Sequence, residues 1–174
     1  MIEVEIKAQA GWNEVSRKLS GAGAVQKEKI WQIDSYYNAP HRDFGVTDEA
    51  LRLREQGSRI ILTYKGKKLD PQSKTRREIE VDVNDRDRAE EILLALGFVK
   101  TMDIIKERRI YHYKGAEVCL DRVEGLGEYV EVEMQAENDS EVPGKRNELI
   151  AIIRELGVTG ELIRDSYLEM LLKR

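Results

Sequence analysis

The sequence is poor in the side chains that build disulfides and zinc sites. Its one cysteine, Cys119, rules out an internal disulfide and fits a reducing cytoplasm, which is the expected location. Its two histidines, His41 and His112, lie outside the charged rows described below and read as surface residues, so zinc is not the expected metal. No apolar run approaches the length that crosses a bilayer, and no membrane partner is expected. Met1–Lys7 already reads as a strand carrying charges, which predicts no removable leader. A basic excess is missing too: 29 Lys and Arg face 33 Asp and Glu, a net charge of −4. Nucleic-acid-binding domains usually carry a clear positive balance, so no nucleic acid partner is expected and any anion site must be local. There is no glycine-rich phosphate loop and no Ser-His-Asp arrangement.

What the chain does have is charge in register. Hydrophobic residues make up 41% of its 174 residues and charged residues 36%, enough apolar material for one domain, residues 1–174, with a core of its own. Ile2 to Ala8 alternates strictly, with Ile2, Val4, Ile6 and Ala8 on one face and Glu3, Glu5 and Lys7 on the other, the period of a strand. Trp12, Val15 and Leu19 predict a helix over about 12–22, ended by Gly21 and Gly23. Strands follow at 30–37, 51–54 and 59–65, the last two as a hairpin through Gly57-Ser58. Residues 66–74 read as an exposed loop, and 75–83 as another alternating strand. A helix over 86–96 is capped by Asn84 or Asp85 and closed by Gly97. Strands at 103–113, 117–123 and 129–134 and helices at 145–156 and 165–172 complete the chain. The helices have apolar stripes that need the aliphatic strand faces as partners. The charged faces then point either to bulk water or into a wet barrel interior.

One strand with alternating charge is most often a solvated sheet face. Here, however, the charges are grouped by sign. Glu3/Glu5, Glu78/Glu80 and Glu131/Glu133 each put two carboxylates on one face, about 7 Å apart. Such pairs repel, more so in an enclosed space, and call for a cation. Facing Lys and Arg groups or divalent ions could supply it. Carboxylates without His or Cys neighbours favour hard ions such as Mg²⁺, Mn²⁺ or Ca²⁺. The basic set is Lys7, Arg52, Arg54, Lys65, Arg76, Lys106 and Arg108. Arginine forks and lysine point charges suit a chain of phosphates. Both signs on one surface therefore suggest a polyphosphate with its metal ions. Choosing Arg76 over Arg77 rests on period two with Glu78 and Glu80; a bulge would exchange them. Cys119 shares a face with Asp121, where a lone thiol is more often packing than nucleophile.

These motifs resemble the CYTH superfamily, the triphosphate tunnel metalloenzymes. Glu3-Val4-Glu5-Ile6-Lys7 is similar to its ExExK signature, and Gln32-Ile33-Asp34-Ser35-Tyr36-Tyr37 to its second strand. Leu51-Arg52-Leu53-Arg54 and Leu62-Thr63-Tyr64-Lys65-Gly66 resemble its phosphate-binding strands, Arg76-Arg77-Glu78-Ile79-Glu80 its RxExE segment, and Lys106-Glu107-Arg108 its KxR. The block from Asp121 to Glu133, and Ser166-Tyr167-Leu168-Glu169 near the end, resemble the class IV adenylate cyclase-like branch. One ExExK is a common strand sequence; the whole series in order is specific.

The resemblance implies an α+β fold, an eight-stranded antiparallel β-barrel forming a tunnel with helices outside. It implies Mg²⁺ or Mn²⁺ as cofactor, with metal ligands among Glu3, Glu5, Asp121, Glu131 and Glu133. Triphosphate contacts would come from Lys7, Arg52, Arg54, Lys65, Arg76, Lys106 and Arg108, and the chain would be a homodimer. In a cyclase the ribose 3′-hydroxyl of ATP attacks the α-phosphorus and releases pyrophosphate, giving cyclic AMP. Glu78 and Glu80 are candidates for the general base, though each could instead fix an arginine. In a triphosphatase, water attacks the terminal phosphorus of tripolyphosphate, thiamine triphosphate or a nucleotide. A non-catalytic polyphosphate-binding module is the third expectation, disfavoured by the full carboxylate set. The Asp121–Glu133 block favours the cyclase-like branch.

Overall fold

The structure is a computed structural model that describes residues 2–71 and 73–174. Met1, expected in the first strand, and Gln72, expected in an exposed loop, lie outside the described residues. Period two becomes eight strands: β1 Ile2–Gln9, β2 Val25–Asn38, β3 Ala50–Gln56, β4 Arg59–Lys68, β5 Arg76–Val83, β6 Val99–Tyr113, β7 Ala116–Val123 and β8 Gly127–Ala136. They close into an antiparallel barrel in the order β1-β5-β4-β3-β2-β6-β7-β8. The helices are α1 Trp12–Gly21, α2 Phe44–Thr47, α3 Arg86–Ala95, α4 Val142–Glu155 and α5 Tyr167–Leu172. Among the described residues, no helix is long and apolar enough to cross a membrane.

The aliphatic strand faces point outward and meet the helices. Ile2, Val4 and Ile6 of β1, Val118 and Leu120 of β7, and Val130 and Val132 of β8 pack against Trp12, Val15 and Leu19 of α1 and Leu149, Ile152 and Ile153 of α4. On the other side, Tyr37, Leu51 and Leu53 pack against Phe44 of α2 and Leu93 of α3. With the apolar faces spent outside, period two commits the charged faces to the interior. Gly97 ends α3 at φ +88, a conformation that favours glycine, and a Cβ there would also stand 3.3 Å from Pro40.

Three boundaries differ from the sequence-based expectation. β2 begins at Val25 and β6 at Val99 because the two strands pair well past the helix-covered wall, from Val25↔His112 to Asn38↔Val99. Residues 25–29 of β2 are exposed, so no buried face imposes the alternation that marks a strand in sequence. β4 runs on to Lys68, into the segment expected to be a loop, through a register shift between Lys65 and Lys68. The four-residue α2, capped by Asp43 on the Gly45 amide, has no helical period to read.

The seam between β1 and β5 is short. Among the described residues it pairs Ile2↔Arg77 and Glu3↔Arg76, whereas β1 pairs with β8 along its whole length. Past Glu3 the two strands part, and Lys74 closes the gap by donating its amide to the Glu5 carbonyl at 3.0 Å.

Candidate active site

Cross-strand register carries one row of side chains around the inner wall. Glu5 stands opposite Glu133, and Lys7 opposite Glu131. Glu133 faces Glu117, and Tyr129 faces Asp121. Asp121 pairs with Arg108, and Lys106 with Gln32. Arg54 faces Asp34, Arg52 faces Thr63, and Lys65 faces Glu78. Arg76 is buried and Arg77 exposed, so the register on β5 is the unbulged one.

The row encloses a cavity of about 340 Å³ lined by Glu3, Glu5, Arg52, Arg54, Lys65, Arg76, Glu78, Glu80, Lys106, Arg108, Glu131 and Glu133. That is within the range of small-molecule sites. Lys7 and Asp121 are fully buried behind this lining. α5 enters the mouth and lines the cavity with Tyr167, Leu168 and Glu169. Its start is fixed by a reciprocal cap between Ser166 and Glu169. Lys68 ties Glu169 at 2.9 Å and Asp48 at 2.8 Å.

The charges are unevenly compensated. Arg54 holds Asp34 by two bonds of 2.6 and 2.7 Å. Burial alone would raise the Asp34 carboxyl, but Arg54 and then Arg52 hold it far below the ordinary range. Arg108 holds Asp121 through two bonds of 2.6 Å and reaches Glu131 at 2.5 Å. Lys106 and the Tyr167 hydroxyl donate to the same Asp121 at 3.3 and 3.0 Å. Lys65 donates to Glu78 at 2.5 Å and stands 3.8 Å from Glu3. Glu80 accepts from Thr63 at 2.9 Å and Arg52 at 3.4 Å. Both candidate bases are thus held by donors, and Glu78 is kept below its ordinary pKa by Lys65 and Arg52 against the opposing effect of burial.

Relief is thinner at the next three carboxylates: Glu3 has Lys65 at 3.8 Å, Glu5 has Lys74, and Glu133 has no hydrogen bond or ion pair among the described residues. One oxygen from each lies within 4.8 Å of the others. Burial and the charge of Glu131 push Glu5 up to about 7, and burial with Glu3 raises Glu133 well above the carboxylate range. An all-oxygen cluster with surplus negative charge suits a hard divalent cation, so these residues fit Mg²⁺ or Mn²⁺. Of the expected ligands, Glu3, Glu5 and Glu133 come together. Glu131 is engaged by Arg108 and Lys74, and Asp121 by Arg108, Lys106 and Tyr167.

Three residues of the site carried no role in the sequence. Asp34 shares period two with Gln32 and Tyr36, a signal that could have found it. Tyr167 is recognisable only once α5 is in the mouth. There its ring lies 4.1 Å under the Lys7 ammonium and 5.2 Å from that of Lys106. Lys74 corrects the exposed-loop expectation for 66–74: its side chain is 11% exposed and its ammonium contacts Glu5 and Glu131. Continuing the period of Arg76, Glu78 and Glu80 back by one step places it on the inner face. Cys119 is buried, which raises its thiol pKa well above the ordinary value and leaves it inert as a nucleophile.

A CYTH domain model matches residues 1–167. The chain belongs to the CYTH family. It is 40% identical over 172 residues to MJ0240 of Methanocaldococcus jannaschii, a protein provisionally named an adenylate cyclase, with 98% of each chain covered. The solved structure of PH1819 from Pyrococcus horikoshii superimposes with a TM-score of 0.92 at 42% identity, covering 98% of each chain. The fold is also that of HpAC1 from Hippeastrum, at a TM-score of 0.70, 15% identity, and coverage of 99% of this CYTH chain and 95% of that one. HpAC1 is described as an adenylyl cyclase candidate with a dominant triphosphatase activity.

Proposed function

We propose that this CYTH protein is a divalent-metal-dependent enzyme acting on a nucleoside triphosphate, with conversion of ATP to cyclic AMP and pyrophosphate as its reaction. One observation carries the proposal: the Glu3, Glu5, Glu133 cluster and the basic groups Arg52, Arg54, Lys65, Arg76, Lys106 and Arg108 share one cavity. Arginine forks and lysines take the phosphate oxygens, and the carboxylate cluster takes Mg²⁺ or Mn²⁺. A bound divalent ion would neutralise phosphate charge and lower the pKa of the attacking hydroxyl. The chain's own part is to hold the polyphosphate in line and keep water out. Arg52, seated on Thr63 and Glu80, and Arg54, seated on Asp34, present pre-set donors. Lys65 exchanges Glu78 for a phosphate oxygen. The released Glu78 and the nearby Glu80 are then the carboxylates available to accept a proton.

The second reading is a triphosphatase. It uses the same cavity with water as nucleophile, and the dominant triphosphatase activity described for HpAC1, a protein of the same fold, favours keeping it. Incubation with ATP, thiamine triphosphate and tripolyphosphate in Mg²⁺ or Mn²⁺ separates the two. Cyclic AMP with pyrophosphate supports the cyclase, and orthophosphate supports the triphosphatase. No turnover of any of them sinks both and leaves a binding module.

We place the protein in the cytoplasm, as a homodimer. Ile79 and Val81, 69% and 55% exposed on the outer face of β5, offer an apolar strip for the contact.

A further inference from the structure

Lys74 occupies a singular position. It lies just before β5, where β1 and β5 have parted, and reaches through the gap into the cavity. Its backbone is pinned by the hydrogen bond its amide donates to the Glu5 carbonyl at 3.0 Å and by the one the Leu69 amide donates to the Thr75 carbonyl at 2.8 Å. The neighbouring Ser73 and Thr75 are buried. Arg146 and Arg164, from α4 and the segment before α5, anchor Asp70 at 2.7 and 2.9 Å. The ammonium is thereby delivered to two carboxylates, Glu5 and Glu131. Glu5 is also one corner of the Glu3, Glu5, Glu133 cluster.

We propose that Lys74 is a built-in cation that holds Glu5, one corner of the carboxylate cluster, while no divalent ion is bound, so that ion binding at that corner and Lys74 docking compete. The inference rests on the metal site proposed above. An ammonium is a compact point charge with three donors, the nearest a side chain comes to a metal ion. Docked, it satisfies Glu5 and Glu131, which would otherwise face each other and Glu133 across a low-dielectric cavity. A divalent ion at the cluster needs a ligand oxygen from Glu5, the carboxylate whose Oε1 Lys74 engages. It also brings two positive charges next to an ammonium in surroundings already holding Lys7, Lys106 and Arg108. The ion and Lys74 therefore compete for Glu5, and the site opens to metal only when the lysine withdraws through the gap between β1 and β5. This makes metal affinity depend on a segment outside the barrel wall. If Lys74 is docked in roughly nine-tenths of metal-free molecules, the apparent metal Kd is raised about tenfold over that of an open site.

The test uses the full chain and Mn²⁺ alone. Mn²⁺ binding is followed by electron paramagnetic resonance in the unaltered protein and in Lys74→Met, which keeps an unbranched stem one atom shorter and without the charge. The expected result is a Kd about tenfold lower in the variant. An equal or weaker affinity overturns the inference while leaving the metal site standing. Should Lys74→Met fail to fold, the unaltered protein decides the matter by hydrogen exchange. Mn²⁺ should speed exchange at the Lys74 and Leu69 amides while slowing exchange in β1. Unchanged protection at Lys74 with Mn²⁺ bound overturns the inference. Absence of any Mn²⁺ binding to the unaltered chain overturns both the inference and the metal site beneath it.

Discussion

Glu5 on β1 and Glu133 on β8 stand directly opposite one another on the inner wall, a like-charge pair built into the register of the barrel. Opposed carboxylates destabilise a sheet unless a cation relieves them. Glu133 has no hydrogen bond or ion pair among the described residues, so its relief must come from a proton or a metal ion. Glu133→Gln removes the repulsion and a ligand together. In metal-free solution at alkaline pH the variant should be more stable by about 1 kcal/mol, a rise of roughly 2–4 °C in Tm for a chain of this size. Mg²⁺, which should raise the Tm of the unaltered protein, should leave the variant unmoved. Glu5→Ala should likewise abolish metal-dependent turnover while the fold survives. Thermal melts with and without Mg²⁺ check both, and a variant still stabilised by Mg²⁺ would count against these ligands.

Proton linkage makes a second prediction. Glu5 is pushed up to about 7 by burial and by the charge of Glu131. Its folded pKa lies above its unfolded one. Its contribution to metal-free stability is therefore full below about pH 4.5 and lost as pH rises through about 7. Metal binding needs the ionised carboxylate and so releases that proton. Mn²⁺ affinity should thus fall steadily as pH drops below about 7, while the metal-free fold loses this penalty. Calorimetric titrations in buffers of different ionisation enthalpy measure the proton released. A pH-independent affinity with no release would contradict the assignment.

Two basic residues that look alike in the sequence should behave differently. Lys65 pairs with Glu78 and Glu3 on the cavity wall, and Lys65→Ala leaves carboxylates that are 9% and 19% exposed. It should raise the KM for ATP about tenfold or more, with a smaller loss of Tm than Arg54→Ala. Arg54→Ala instead strands Asp34, which is 3% exposed and held by that guanidinium. Breaking such a pair costs about 3–5 kcal/mol, so this variant should lose stability as well as binding. Comparing KM and Tm for the two variants tests the distinction, and equal Tm losses would refute it.

The same contrast explains what was legible in the sequence. Alternation over β1, β3 and β8 was plain because helices cover one face and the cavity the other, which forces period two. Parity put Glu5, Arg52 and Arg108 on the charged faces of their strands, and the family resemblance supplied the barrel interior that those faces share. The outer half of β2 was not legible, since both its faces meet solvent and nothing selects every second residue. Lys74 was hidden for a different reason. It precedes β5, in a stretch whose proline and lysines mark exposed loops, and only the parting of β1 from β5 shows that the loop turns inward. The family resemblance put Asp121 and Glu131 in one ligand set with Glu3, Glu5 and Glu133. It could not show that Arg108 and its neighbours already engage those two.

Tyr167 gives the last prediction, because its ring and its hydroxyl do separable things. The hydroxyl donates to Asp121 at 3.0 Å, but Asp121 keeps both bonds from Arg108 without it. Tyr167→Phe should therefore cost only about 1 kcal/mol. The ring is buried, packs edge-on to Tyr129 at 5.4 Å, and lies 4.1 Å beneath the Lys7 ammonium. That ammonium is pushed down to about 7 by burial and by Lys74, and the ring face offers it a cation–π contact. Tyr167→Ala should cost about 3–5 kcal/mol and unseat α5 from the cavity mouth. Urea unfolding gives the two energies, and hydrogen exchange over residues 167–172 reports whether α5 is docked. A small cost for Tyr167→Ala with α5 still protected would show that the Lys68–Glu169 tie, and not the ring, seats the helix.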